Sequence, residues 1–98
     1  MRTFEKVYDL VSKIPKGKVL TYGNIGVTLG INPRVVGYAL HANKSTDNVP
    51  CHRVVFKDGS LTNGYAFGGR DVQKKMLVNE GVRFNGEKVN LSLSLFRA

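Results

Sequence analysis

The stretch TYGNIGVTLGINPRVVGYALHAN, residues 21–43, decides the fold because it contains two helix start signals separated by a short turn. Thr21 can cap a helix over residues 22–29, since its hydroxyl accepts hydrogen bonds from free first-turn amides, and Gly30 ends that helix. The pair Asn32–Pro33 starts a second helix, because asparagine is a good cap and proline suits the first helical position. This pattern predicts a helix-turn-helix, although it fits an ordinary helical corner within a core equally well.

The charge pattern favours a polyanionic partner. Lys and Arg number 15 against 7 Asp and Glu, a net charge of +8. From Leu10 to Thr46 there is no Asp or Glu at all. The cations of this segment are Lys13, Lys16, Lys18, Arg34 and Lys44. The predicted helix-turn-helix lies wholly inside it, which suits docking on nucleic acid, with an anionic membrane as the second choice.

Two elements are predicted on either side of this unit. Apolar residues between Phe4 and Ile14 recur at helical spacing, with Thr3 as the N-cap and Pro15 and Gly17 at the end. After the polar loop NKSTDN, the segment RVVFKDGSL, residues 53–61, predicts a strand, an Asp-Gly turn and a short return strand. This second element would be a small hairpin or wing.

The C-terminal third predicts one more helix and an extended strip. The segment RDVQKKMLVNEG, residues 70–81, is helical, with Glu80 on or beside its apolar face. The inward residues are expected to be Val72, Met76 and Leu77. In the final segment leucines alternate with serines over residues 91–95, which favours a strand. The predicted fold class is therefore mainly α with a small β-hairpin: one winged-helix-like three-helix domain over residues 1–98.

Several classes of protein are disfavoured by what the sequence contains. A single cysteine cannot form an intramolecular disulfide, and with two histidines it makes a zinc site improbable, so no metal is expected. The start lacks the apolar core of a signal peptide, and no apolar run approaches the ~20 residues that span a bilayer. We therefore expect a cytoplasmic protein that does not enter a membrane.

The only cysteine lies in NVPCHRVV, residues 48–55, and has two interpretations. Burial is the simpler one, because free cysteine behaves as a small hydrophobe. A reactive thiol is the alternative: His52 can act as a base, and Arg53 adds positive potential that lowers a thiol pKa. Glu80 would complete a triad if it reached His52. Adjacency in sequence does not guarantee contact, so both interpretations stay open at this point.

PCHRVV resembles the active-site motif of the O6-alkylguanine-DNA alkyltransferases, which repair methylated guanine by taking the alkyl group onto cysteine. The resemblance covers nearly the whole chain in the right order. IPKGKVLTYGNIG is similar to the stretch that leads into the family's first DNA-facing helix, and PRVVGYALHAN resembles its recognition helix. FGGRDVQKKMLVNEGV resembles the helix that supplies the family's glutamate.

The resemblance implies catalytic roles for five residues. Cys51 would be the alkyl acceptor, His52 the base acting through water, and Glu80 the group that orients His52. Asn43 would tie the recognition helix to the active-site turn. Tyr22 would hydrogen-bond the flipped guanine and help to protonate the leaving purine.

The resemblance also implies a DNA-binding surface and a pocket. Arg34 would enter the base stack where the extruded nucleotide had been, and Gly37 and Ala39 would suit close approach of the helix to the minor groove. The other DNA-binding residues implied are Thr21, Tyr22, His41 and Arg53. The pocket residues implied are Tyr22, Pro50, Val54, Tyr65 and Phe67. The glycine-rich loop is about two residues longer than in the mammalian-type enzymes of the family, so either Tyr65 or Phe67 could be the lid aromatic.

The expected function is repair of O6-alkylated guanine in double-stranded DNA by a single-use transfer to Cys51, with no cofactor, in a monomer. Two alternatives remain. Alkyltransferase-like proteins are equally short, bind the lesion and recruit excision repair without chemistry, but they replace the cysteine, often with tryptophan. A plain winged-helix regulator with a structural Cys51 is the other alternative.

Overall fold

The helix-turn-helix forms as its caps predict. In the computed structural model, which describes residues 2–97, helix α2 spans Tyr22–Leu29 and α3 spans Pro33–His41. Thr21 Oγ1 accepts from Asn24 N at 3.0 Å and Asn24 Oδ1 accepts from Thr21 N at 3.1 Å, a closed capping box. Asn32 Oδ1 accepts from Arg34 N at 2.9 Å at the start of α3. Local side-chain chemistry therefore sets both helix starts.

Helix α1, Thr3–Ser12, packs against both helices of this unit. Its Tyr8 hydroxyl donates to the carbonyl oxygen of Ala39 in α3 at 2.7 Å, which joins two elements far apart in sequence. The prediction that Thr3 is the N-cap is wrong, because Thr3 is the first helical residue. Arg2 takes the cap position, in extended conformation, and its amide donates to Glu5 Oε2 at 3.4 Å.

A two-residue parallel ladder joins the helical unit to the rest of the chain. Strand β1, Leu20–Thr21, pairs with β2, Val54–Val55, in the register Leu20 to Val54. The predicted hairpin over residues 53–61 is therefore wrong. Both valines of β2 are fully buried, so the strand lies in the interior and takes its partner from the N-terminal half. The Asp-Gly turn does form, with Phe56 N donating to Ser60 O at 2.9 Å, but no return strand follows it.

The hairpin lies further along the chain. Strands β3, Phe84–Asn85, and β4, Lys88–Val89, are antiparallel around a turn in which Gly86 has φ +63°. Asn-Gly is a favoured hairpin turn because glycine adopts positive φ without strain. The mainly helical fold class with a small hairpin and a helix-turn-helix is confirmed, with this hairpin in place of the expected one.

The last segment is helical where a strand was predicted. Helix α5 is a single turn, Leu91–Ser94, and only Leu95 after it bridges to Val19. Ser94 is 2% exposed: its Oγ accepts from Arg83 N at 3.1 Å and its carbonyl from Val19 N at 2.8 Å. Leu93 is 57% exposed. The alternation of leucines and serines predicts that the leucines are buried and the serines exposed. These hydrogen bonds instead bury Ser94 and leave Leu93 at the surface.

The ladder separates two hydrophobic clusters. Leu20 and Val54 belong to the cluster under α1–α3, which also contains Cys51 and Tyr65. Val55 belongs to a second cluster under the hairpin, whose other members are Val19, Leu61, Leu77, Val82 and Val89. The residues just before Val54, which include Cys51, therefore lead directly into the junction of both cores.

Helix α4, Gly69–Asn79, covers this junction with a slightly different face from the predicted one. Leu77 is fully buried and Met76 partly so, as expected, but Val72 is 38% exposed and packs beside Gly68. Gln73 is buried in its place, at 1% exposure. Nowhere in residues 2–97 is a helix both long and apolar enough to cross a membrane.

Two glycines of α2 test the tight turn of the helix-turn-helix. A Cβ at Gly26 would lie 2.7 Å from the carbonyl oxygen of Ile31, whereas one at Gly23 would meet only Thr21 Oγ1 at 3.7 Å. Gly26→Ala should therefore lower the free energy of unfolding, by about 1–3 kcal/mol from overpacking. Gly23→Ala should leave it unchanged or raise it, by up to about 1 kcal/mol, because alanine favours helix. Urea denaturation of both variants measures the free energy of unfolding. Equal changes in the two variants would show that the turn accommodates a Cβ at Gly26 by a small shift.

Candidate active site

Cys51 opens a 3₁₀ turn, Cys51–Arg53, directly before β2. The turn is held by backbone hydrogen bonds: Cys51 N donates to Val49 O at 2.7 Å, and Arg53 N donates to Pro50 O at 3.0 Å. Because β2 is anchored in the ladder, the thiol sits at a defined distance from the helical unit. Cys51 is only 5% exposed and lines a cavity.

Asn43 connects the end of α3 to this turn. Its Nδ2 donates to Val49 O at 2.9 Å and to Ser45 O at 3.1 Å, and its Oδ1 accepts from Ser45 N at 3.3 Å. Val49 O is the same atom that receives the Cys51 amide. One side chain thus bridges the end of α3 and the residue two positions before the thiol.

Glu80, the C-cap residue of α4, reaches both residues that follow the thiol. Its Oε1 lies 3.0 Å from His52 Nε2 and accepts from Arg53 Nε at 2.9 Å, while Oε2 accepts from an Arg53 terminal nitrogen at 2.7 Å. The other terminal nitrogen of Arg53 donates to Ile14 O at 2.7 Å. Against burial, the hydrogen bonds of Arg53 and His52 hold the pKa of Glu80 below its ordinary value.

Arg53 does not take the place predicted for it. Its guanidinium points inward, 12% exposed, and all of its hydrogen bonds described above go to Glu80 and Ile14. It therefore neither faces solvent to meet a phosphate nor offers an uncompensated positive charge to the thiol. Its role in this structure is to hold the turn to α4 and to the end of α1.

One ring nitrogen of His52 has a hydrogen-bond partner, and the other has none among the described residues. Nε2 faces the Glu80 carboxylate and so carries the hydrogen, while Nδ1 is buried with no hydrogen-bond partner in the described part of the chain. Burial lowers the pKa of His52 below its ordinary value, more than the Glu80 hydrogen bond raises it. The ring is thus neutral at pH 7, with a lone pair on Nδ1 available to accept a proton.

The thiol itself is not activated in the way the sequence suggested. Burial raises the pKa of the Cys51 thiol, and hydrogen bonds involving the side chains of Asn43 and Tyr65 offset that effect only in part. The prediction of a lowered thiol pKa is wrong, because Glu80 neutralises Arg53 and desolvation dominates. The resting state is a neutral thiol next to a neutral base.

Two tyrosines lie on the cavity wall with Cys51. Burial, and then the proximity of Cys51, raises the pKa of Tyr22 to about 12. The same causes, in the same order, raise the pKa of Tyr65, whose hydroxyl lies 3.3 Å from Met76 Sδ, a weak acceptor. Phe67 packs behind Tyr65, with ring centroids 5.8 Å apart, and is not on the wall. Of the two candidate lid aromatics, only Tyr65 lines the cavity wall, and the lid itself stays a prediction.

The cavity has a volume of about 480 Å³, within the range of roughly 300–1,000 Å³ usual for small-molecule sites. Along α3 its wall includes Arg34, Gly37 and His41, three of the predicted DNA-binding residues. Ala39 is fully buried against α1, so the prediction that it meets a groove is wrong. Pro50 and Val54 are buried behind the turn rather than in the wall, which corrects their assignment to the pocket. Thr21 is also buried, as the cap of α2.

Sequence reasoning missed several residues around this site, among them Tyr38, Phe56 and Gln73. Tyr38 is 64% exposed in the wall, four residues after Arg34, a spacing that could have identified it. Phe56 lies in the wall too, its ring 5.2 Å from that of Tyr22, but nothing local marks it. Gln73 is seven residues before Glu80, hence on the same helix face. In residues 2–97 no three His, Cys, Asp or Glu side chains gather as metal ligands would.

The comparison with solved structures covers the whole chain. S. pombe Atl1, in a crystal structure with damaged DNA containing O6-carboxymethylguanine, superposes with a TM-score of 0.83 at 33% identity, over 100% of both chains. The structure thus resembles that protein from end to end.

The comparison with curated proteins leads to methyltransferases. The methylated-DNA--protein-cysteine methyltransferase of Methanocaldococcus jannaschii is 43% identical over 81 residues, 83% of this chain and 46% of the relative. The bifunctional methyltransferase/endonuclease of Picrophilus torridus is 39% identical over 90 residues, 90% of this chain and 30% of the relative. The chain therefore spans less than half the length of each of these two relatives. A family model described as 6-O-methylguanine DNA methyltransferase, DNA binding domain, matches residues 2–82, so the chain belongs to that family.

Proposed function

We propose that this chain removes the alkyl group from O6-alkylated guanine in duplex DNA by transferring it irreversibly to Cys51, once per molecule and without a cofactor. The observation that carries the proposal is the placement of Cys51 in the cavity wall beside Tyr22 and Tyr65, followed directly by His52. The Glu80 carboxylate holds Nε2 of His52 and leaves Nδ1 open. A thiol followed by a base whose ring is oriented by a third group supports a transfer in which His52 activates the thiol.

The geometry supports a transfer in which each proton has a donor and an acceptor. His52 Nδ1 takes the thiol proton through a water molecule, and Glu80 stabilises the imidazolium that forms. The Cys51 sulfur attacks the alkyl carbon, the carbon–O6 bond breaks, and its electron pair stays on the purine. The raised pKa of Tyr22 keeps its hydroxyl protonated, so it donates a hydrogen bond to the leaving base. The proton taken from the thiol ends on guanine, and Cys51 ends as S-alkylcysteine.

The cavity opens on the face of the chain that we propose docks on DNA. Arg34, Gly37, Tyr38 and His41 recur at i, i+3, i+4 and i+7, so they share one face of α3, and all four line the cavity. The segment around them has no carboxylate between Leu10 and Thr46, which leaves its positive charge uncompensated within the segment. A base extruded from the minor groove would pass Arg34 and reach Cys51 within one cavity.

A non-catalytic role in lesion binding is the alternative, and two observations favour it. The pKa of the Cys51 thiol is raised, so little thiolate is present at rest. Atl1 of S. pombe, crystallised with an O6-carboxymethylguanine lesion, is similar over its whole length. The same cavity would then hold the modified base without reacting with it.

Intact mass separates these roles. After incubation with a duplex containing O6-methylguanine, the native chain should gain one methyl group, located on Cys51 by peptide mapping. Cys51→Ser should gain none and yet bind the lesion as well as before, because the nucleophile contributes to chemistry more than to docking. Lesion-selective binding by the native chain without a mass change would establish the non-catalytic role. Binding without any preference for the lesion would leave a general DNA-binding domain.

Arg34→Ala should slow transfer from duplex DNA and have little effect on the free base O6-benzylguanine, which needs no extrusion. The loss expected on duplex DNA is on the order of tenfold or more, the scale of a few kcal/mol of unstacking. Lys75→Ala, which removes an exposed cation on α4 outside the cavity wall, is the matched control and should leave transfer from both substrates unchanged. Equal losses on both substrates would assign Arg34 to the fold instead.

The pH dependence of transfer tests the His52–Glu80 pair. Since the thiolate is the nucleophile and the thiol pKa is raised, the single-turnover rate on O6-benzylguanine should climb with pH past the ordinary thiol value of ~8.5. Glu80→Gln should lower the rate at neutral pH by about 10²-fold, the scale of general-base catalysis. The deficit should narrow at high pH, because hydroxide then ionises the thiol without His52.

Glu80→Gln should also destabilise the fold, because it leaves the Arg53 guanidinium without its counter-ion. We expect about 2–3 kcal/mol, less than a fully buried pair loses, since the two side chains keep 12% and 15% exposure. The control is Glu87→Gln, which breaks a surface pair with Lys74 and should change neither rate nor melting temperature. A normal pH profile in Glu80→Gln would show that Glu80 is only structural.

A further inference from the structure

Gln73 is a buried amide directed at the active-site turn. It is 1% exposed on α4, and its Nε2 donates to two carbonyl oxygens, that of His52 at 3.0 Å and that of Val54 at 3.2 Å. These carbonyls lie on either side of Arg53, so the amide donates to the turn and to the first residue of β2, which follows it directly. Its Oε1 has no partner in the described part of the chain. An unpaired buried oxygen is unfavourable, so the value of this side chain lies in its two donors.

Helix spacing combines Gln73 with Glu80. Seven residues make about two turns, so both side chains project from one face of α4, with the fully buried Leu77 between them. Glu80 holds the turn by its side chains, His52 and Arg53. Gln73 holds the same turn by its backbone. Gln73 thus adds a backbone attachment from α4 to the side-chain contacts that Glu80 makes, and together they restrict the orientation of this segment.

We propose that Gln73 is a positioning residue for alkyl transfer: with Glu80 it clamps the turn at two points, so that the Cys51 thiol stays at the cavity wall while the His52 ring stays on Glu80. The inference rests on the proposed transfer function. Gln73 does not line the cavity, so it acts through the turn and not on the substrate.

The first test is Gln73→Met, which keeps the side chain's length and removes both donors. The transfer rate at saturating O6-benzylguanine should fall by roughly 10–100-fold, the scale of a misplacement of about 1 Å. The half-saturating concentration should change by less than about twofold, because no wall residue is altered. The transfer rate of Gln73→Glu should be lowered most at a pH where the new carboxylate is ionised, because the carboxylate then faces two carbonyl oxygens and cannot donate to either. When it is protonated, the group can still donate one hydrogen bond.

Ser94→Ala is the matched control for a general loss of packing. Ser94 is 2% exposed, and its Oγ accepts a backbone hydrogen bond from Arg83, away from the thiol turn. Removing it should lower stability without lowering the saturated transfer rate at a temperature where both proteins are folded. Equal slowing by Ser94→Ala and Gln73→Met, or no slowing by Gln73→Met, would overturn the inference.

An NMR readout keeps the test independent of transfer. The Nε2 proton of His52, held by Glu80 and buried, should exchange slowly with water, whereas the ring protons of the exposed His41 should exchange fast. Gln73→Met should lose this protection and Ser94→Ala should keep it. If the native chain transfers nothing, the proposed function fails, and this proton still decides whether Gln73 clamps the turn. Unchanged protection in Gln73→Met would refute the clamp.

Discussion

The rest of the site depends on the contacts that the Glu80 carboxylate makes with His52 and Arg53. It receives hydrogen bonds from Arg53 and faces His52, and Arg53 continues the network to the Ile14 carbonyl at the end of α1. The Glu80–Arg53 pair thereby joins the end of the first helix, the thiol turn and α4, which lie far apart in sequence. A carboxylate and a guanidinium that are largely out of water need each other, so the pair specifies where α4 can sit as well as how His52 is oriented.

Burial has opposite consequences for the thiol and for its neighbours. It raises the pKa of Cys51 and lowers that of His52, so both side chains are neutral at pH 7. In the transfer that we propose, the two neutral groups do not react with water, and the proton passes from the thiol to His52 once the alkylated base is bound. The same burial keeps Tyr22 protonated, which is the state a hydrogen-bond donor requires. Desolvation therefore sets the protonation states of this site more than any single charge does.

Helix α4 combines stability and chemistry on one face. Leu77 fills the second core, while Gln73 and Glu80 bind the turn and Met76 lies against the Tyr65 hydroxyl. Since these four residues lie on α4 or at its C-cap, one helix contacts both the thiol turn and the Tyr65 side of the cavity. The parallel ladder supports this arrangement from the other side, because β2 begins directly after the thiol turn.

The sequence by itself determined the elements whose signals are local. Thr21, Asn32 and Pro33 marked the helix-turn-helix, since caps act within a few residues, and the family motif around Cys51 located the candidate site. Tertiary structure alone decided the rest. Val54 and Val55 pair with a strand over thirty residues away, Arg53 turns inward to Glu80, and Ala39 packs on α1 instead of facing a groove. The thiol pKa also follows from tertiary structure, because desolvation depends on which side chains surround Cys51 in space, and no spacing along a chain states that.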